Sequence, residues 1–294
     1  MIRRWSISLS ALALALAGLT AQASAAQTTQ PSTTTHPAAT AAHHVTTAVH
    51  PAGLPAGFNP GGEAHGSSSA TSKAHAAHGA VSNATLDTPN WSGIVEYGAS
   101  GSYTSVSDEW QQASLVCDTD SVQYVSFWVG LDGFNGSSVE QTGTLGVCDG
   151  TTPEYYAWYE MYPAAPVYYN ETVEAGILYF GSVIFSGTDT YTLTLQGVDG
   201  TPWKQTTVVN EGGLANASAE VITEAPSSSS GVLPLADFQR AHYRVSYADG
   251  VYMGSAGGQS PTVLVIVDSA GTAEDSTAGP GPYGGFYNDW IQSS

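Results

Sequence analysis

From residue 87 onward, no stretch of this chain keeps apolar residues at a helical period for three turns. What recurs is alternation and β-branching, in runs at Ser121–Leu131, Ile177–Ser186, Tyr191–Val198, Trp203–Val209, Tyr243–Tyr247 and Pro261–Asp268. Clusters of Gly, Asn, Asp and Ser punctuate these runs, as turns require. The segment around Leu235–Tyr243 is the one short helical candidate. Strands patterned this way must bury one face against another layer. The expected fold is all-β, with two antiparallel sheets packed face to face.

The pattern begins late in the chain. Residues 1–25 read as a secretory signal: Arg3 and Arg4 precede an apolar run from Ile7 to Leu19, and small-residue cleavage sites follow at Ala21-Gln22-Ala23 and Ala23-Ser24-Ala25. That run is short for a membrane span, so secretion is expected, with no membrane partner once the signal is removed. Residues 26–86 are Ala, Thr, Ser, His, Pro and Gly, with Phe58 the only aromatic. Such a segment buries too little apolar area to offset its chain entropy, so by itself it should be disordered. It sits where a pro-segment would, although a plain linker has the same composition. Residues 87–294 are one domain's worth of chain and hold all 16 Tyr. They also hold Cys117 and Cys148, an even count that suggests a disulfide in a secreted chain.

Charge narrows the function. From residue 87 there are 24 acidic residues against Lys204, Arg240 and Arg244. Such a surface repels phosphate backbones, which excludes nucleic acid as a partner. In strong acid most of these carboxyls lose their charge, and few positive charges remain to push the fold apart. A stability optimum on the acid side is expected, although an ordinary acidic secreted protein shares this composition. Seven of the eight histidines lie between His36 and His78, leaving His242 alone in the body. No His-Glu-x-x-His, Gly-x-Ser-x-Gly or Asp-Thr/Ser-Gly motif is present, the nearest to the last being Asp268-Ser269-Ala270. No metal or cofactor is expected.

Carboxylate and amide chemistry on a β scaffold remains. Three clusters carry it: Trp128-Val129-Gly130-Leu131-Asp132-Gly133 with Glu140-Gln141-Thr142-Gly143, the aromatic run Tyr155–Pro163, and Ala219–Pro226. The aromatic run suits a groove floor for peptide or sugar, and packing alone would also explain it. On an extended strand Glu220, Ile222 and Glu224 share a face, with the two carboxylates roughly 13 Å apart. That is too far for a glycosidase pair. By parity alone, an acid beside Ile222 reads as a solvent-facing edge residue.

Together with Asn90-Trp91-Ser92-Gly93, these clusters resemble, in order and spacing, the glutamic peptidases, or eqolisins, over most of residues 87–294. The resemblance implies a β-sandwich of two curved antiparallel sheets, related in shape to concanavalin-like lectins, with the active site on the concave face. It implies a secreted, pepstatin-insensitive endopeptidase acting in acid on protein or peptide substrates, as a monomer. Its catalytic pair falls on Gln141 and Glu224, and Trp128, Asp132 and Glu160 match positions that line or support the site. Trp91 and Tyr159 are expected to contact substrate. This chain departs from the fungal pattern at Val221 and Ala225-Pro226, and in a longer segment between Gln141 and Glu160. A Glu224 that acts as base in acid should not have a strongly raised pKa. The resemblance also casts residues 26–86 as a pro-segment and the enzyme's own inhibitor. Separately, its histidines gain charge as pH falls, which would gate its release; a His-rich linker with no gating role, or one that binds metal ions incidentally, is the alternative. A carbohydrate-binding module or glycosidase, and a silent adhesion domain, are the competing classes.

Overall fold

A computed structural model describes residues 51–62, 84–118, 121–199 and 203–293. The signal sequence and all seven N-terminal histidines lie outside the described residues.

The fold is a β-sandwich. One sheet has eight strands in the spatial order Thr85–Thr88, Thr262–Ile266, Trp91–Tyr97, Ser218–Glu224, Gln123–Leu131, Val139–Asp149, Thr152–Tyr162 and Val167–Tyr168. All neighbours are antiparallel except the first pair, which is parallel. The second sheet is built on Lys204–Asn210, Thr190–Gly197, Leu178–Phe185, Ser105–Gln111, Arg240–Tyr243, Phe286–Trp290 and Asp275–Ala278. Among the described residues the only helical turn is a short 3-10 segment at Ser255–Gly257. The expected helix around Leu235–Tyr243 does not form. Leu235 and Asp237 make isolated bridges, and Arg240–Tyr243 is a strand wedged between two others. The pairing available at both of its edges outweighs a local preference too short to nucleate a helix.

The two faces of the eight-stranded sheet differ in what they bury. Phe127, Val129 and Val221 pack between the sheets with Trp110, Val183 and Leu193 from the second sheet. Their chain neighbours Trp128 and Ile222 turn the other way, into a second cluster with Trp91, Trp158 and Leu145. This is the period-two alternation of a strand, here with both faces buried. Phe58 joins the second cluster, packing on Tyr124 with ring centroids 5.2 Å apart. Residues 51–62 are therefore ordered against the body, although they come from a segment too polar to fold alone.

Cys117 and Cys148 form a disulfide, Cα to Cα 5.3 Å, across a sequence separation of 31. Closing such a loop contributes roughly 3–4 kcal/mol on the chain-entropy model.

Candidate functional site

Gln141 and Glu224 come from strands that flank the Gln123–Leu131 strand on either side. Register offsets them by four residues along that strand: Glu224 lies opposite Ser126, Gln141 opposite Gly130, and Trp128 stands between them on the same face. Gly130 leaves the space this needs, since a Cβ there would fall 2.8 Å from the Trp128 ring and 3.3 Å from the Gln141 Cβ. Glu224 does not sit at an edge. Its strand is interior, paired on both sides, and its side chain is fully buried. Pairing across the sheet, which a single sequence does not display, overrides the edge expectation.

The hydrogen bonds define what each group offers. Trp128 Nε1 donates to Glu224 Oε2 at 2.9 Å, and Asn90 Nδ2 donates to Oε1 at 3.3 Å. Gln141 Nε2 donates to Glu160 Oε2 at 3.0 Å, which orients the amide and leaves its second N–H for another acceptor. Trp91 meets Trp128 edge to face, centroids 4.9 Å apart.

Residues 60–62 fill the space between these groups. Gln141 Nε2 also donates to the Gly61 carbonyl oxygen, and the Gly62 N–H donates to Glu224 Oε1 at 3.0 Å. Trp91 Nε1 donates to the Gly62 carbonyl at 3.1 Å. A single peptide bond thus spans Gln141 and Glu224.

With the cleft filled, burial pushes the Glu224 carboxyl well above its usual range, and the donors Gly62, Trp128, Asn90 and Trp91 pull against that shift. The expectation of an unraised Glu224 therefore fails in this covered state. Removing the segment readmits water, which solvates the ionised form and lowers the pKa. Glu160 is also pushed up, first by burial and then by the charge of Glu224, with the Gln141 donor opposing.

Of the other expected site residues, Trp91, Trp128 and Glu160 line the cleft, and Asp132 and Tyr159 do not. Asp132 lies at a turn, where its carboxylate accepts the N–H groups of Asn216 and Ala217 at 2.7 and 2.6 Å. It thereby sets the entry to the strand carrying Glu224. Tyr159 faces the inter-sheet core and packs on Tyr169, centroids 5.5 Å apart. Its neighbour Trp158 takes the cleft position, because Glu160 pairs with Gln141 and residues two apart share a face. Sequence reading missed Asn90 and Trp158. The signal for Asn90 was its place directly before Trp91, and for Trp158 its parity with Glu160. His242 lies on the second sheet, stacked on Tyr287 with centroids 4.3 Å apart.

The Peptidase A4 family model matches residues 89–278. No curated protein sequence matches. Among solved structures, scytalido-glutamic peptidase with a transition state analog inhibitor aligns with a TM-score of 0.56 at 22% identity, covering 69% of this chain and 98% of that one. Aspergilloglutamic peptidase from Aspergillus niger aligns with a TM-score of 0.50 at 23% identity, covering 57% of this chain and 99% of that one. At these identities the structural likeness bears on the fold alone.

Proposed function

This chain belongs to the Peptidase A4 family and is a peptide-bond hydrolase, and we propose that it is a secreted, pepstatin-insensitive acid endopeptidase working through Gln141 and Glu224. The observation that carries the reading is the Gly61–Gly62 peptide, with its carbonyl oxygen on the Gln141 amide and its N–H on the Glu224 carboxyl.

The chemistry follows from those two contacts. An ionised Glu224 takes a proton from water, and the water oxygen attacks the carbonyl carbon. Negative charge then grows on the carbonyl oxygen, where the Gln141 N–H already points. An amide donor does not titrate, so it serves equally well in acid. Protonated Glu224 gives its proton to the departing amine. Glu160 is a positioning residue: by accepting one Gln141 N–H it aims the other at the oxyanion. Trp128 and Asn90 hold the Glu224 carboxyl in one orientation.

In this reading residues 51–62 act as an inhibitor in cis, part of a pro-segment that leaves on activation. Pepstatin insensitivity follows because the proposed pair contains no aspartate. Hydrolysis of a denatured protein substrate between pH 2 and 5 with pepstatin present tests the proposal. Wild-type protein should cleave, and Gln141→Ala and Glu224→Gln should not. An active Glu224→Gln protein removes the mechanism.

A further inference from the structure

The segment in the cleft turns at Ala52–Gly53 and again at Ala56–Gly57, and is then pinned by main-chain pairing to the chain just beyond Glu224. Asn59 pairs antiparallel with Ser227: the Asn59 N–H donates to the Ser227 carbonyl at 2.8 Å, and the Ser227 N–H donates back at 3.1 Å. Ser229 continues the pairing, its N–H donating to the Ala56 carbonyl at 3.1 Å and its hydroxyl to the same oxygen at 2.9 Å. Main-chain pairing of this kind is how clefts hold peptides of varied sequence. Ser227 lies just beyond Glu224, so the same stretch of chain that presents the carboxyl also sets the register of the bound segment. Phe58 is the side-chain anchor, buried against Tyr124. Leu54 packs, partly buried, against the same cluster and lines an adjoining recess with Tyr124, Val147 and Tyr156.

That register puts one particular bond at the proposed catalytic pair. We propose that Gly61–Gly62 is the first bond this enzyme cuts in its own chain, with Ala56–Gly62 held as a substrate is held. The inference rests on the Gln141–Glu224 reading and adds to it the identity of a substrate. The step balances as hydrolysis. Burial under the segment keeps most of Glu224 protonated, so the cut runs through its ionised fraction: water oxygen bonds to the Gly61 carbonyl carbon, the Gly61–Gly62 C–N bond breaks, and the proton taken by Glu224 ends on the Gly62 amine. The products are a fragment ending in a Gly61 carboxyl and a chain beginning at Gly62.

The two glycines are not equivalent. A Cβ on Gly61 would fall 2.6 Å from the Trp158 ring and closer still to the Gln141 amide. A Cβ on Gly62 would meet nothing nearer than 3.6 Å. The cleft therefore selects a residue without a side chain before the cut bond and leaves room for one after it.

The test uses the full chain, prepared near neutral pH, brought to about pH 3.5 and followed by intact mass and N-terminal sequencing at several protein concentrations. The first new N-terminus should be Gly62, formed at a rate independent of concentration. Glu224→Gln should abolish the cut, and Gly62→Pro, which removes the N–H facing Glu224, should do the same. Gly61→Ala should slow it at least tenfold, and Gly62→Ala should slow it less. An added protein substrate reports separately on the catalytic pair. If that substrate is digested while Gly61–Gly62 stays intact, or while Gly62→Pro is cut normally at residue 62, this proposal is overturned and the pair stands. A rate that rises with concentration overturns cutting within the chain. If wild-type protein digests nothing, both fail together.

Discussion

The two faces of the eight-stranded sheet are made by the same strands and do opposite jobs. On the inner face, Phe127, Val129 and Val221 meet the second sheet in an apolar layer. On the cleft face, their immediate neighbours Trp128 and Ile222 stand among Gln141, Glu160 and Glu224, all buried, under a short segment from far away in the chain. Apolar burial against a fixed sheet stabilises the fold, whereas polar burial under a segment that the proposal removes on activation creates a site. Stability and chemistry therefore separate by residue parity rather than by strand.

Substitution on each face should break or sharpen that separation. The largest effect is expected on the cleft face. Gln141→Ala removes the oxyanion donor and should lower kcat/KM about 10³-fold, with a melting temperature close to wild type. The converse belongs to the inner face. Phe127→Ala should cost about 3–5 kcal/mol in denaturant unfolding and leave kcat/KM per folded molecule unchanged. A cleft substitution that unfolds the protein, or an inner one that silences a folded protein, would dissolve the contrast.

Acidity sharpens the comparison further, because buried carboxyls are not confined to the cleft. Burial, reinforced by the charge of Asp132, raises Glu140 to about 9. Burial also raises Glu96 and Asp275 to about 7 each, and Glu220 well above its usual range. In the folded state Glu140 keeps its proton past neutrality and Glu96 and Asp275 keep theirs until about pH 7, while in the unfolded chain the glutamates ionise near 4.5 and the aspartate near 3.8. Between those values the unfolded chain binds fewer protons, so stability is fully present below about pH 4.5 and falls as pH rises through 7 to 9. The melting temperature should therefore fall between pH 4 and 8, and a maximum above pH 7 would refute it. The smallest effect is expected at Glu160. Glu160→Ala should lower kcat about tenfold with KM held, because Gln141 loses its orientation. Glu160→Gln should recover most of the loss, since its amide oxygen still accepts.

Much of this was legible in the sequence. Alternating runs gave the sandwich, two cysteines gave the disulfide, and motif order placed Gln141 and Glu224 where the cleft brings them together. What stayed hidden depends on distant partners. Tyr159 and Trp158 look equally suited to a groove floor until pairing of Gln141 with Glu160 sets their parity. Glu224 reads as an edge acid until strands on both sides enclose it. The segment at residues 51–62 has no fold of its own, and its contact with Glu224 spans a separation of 162 residues. Its order comes from the cleft, so its composition reports only on its behaviour alone.

Under the proposed mechanism Gln141 and Glu224 act as one unit on the two ends of a single peptide bond. The most direct measurement is kcat/KM on a protein substrate at about pH 3.5 with pepstatin present, for wild type, Gln141→Ala, Glu224→Gln and the double variant, each shown to be folded. Glu224→Gln should lose about 10⁴-fold, and the double variant should be no more than about threefold slower than the slower single variant. A Glu224→Gln enzyme that keeps a tenth of the wild-type rate, or losses that multiply in the double variant, would contradict the account.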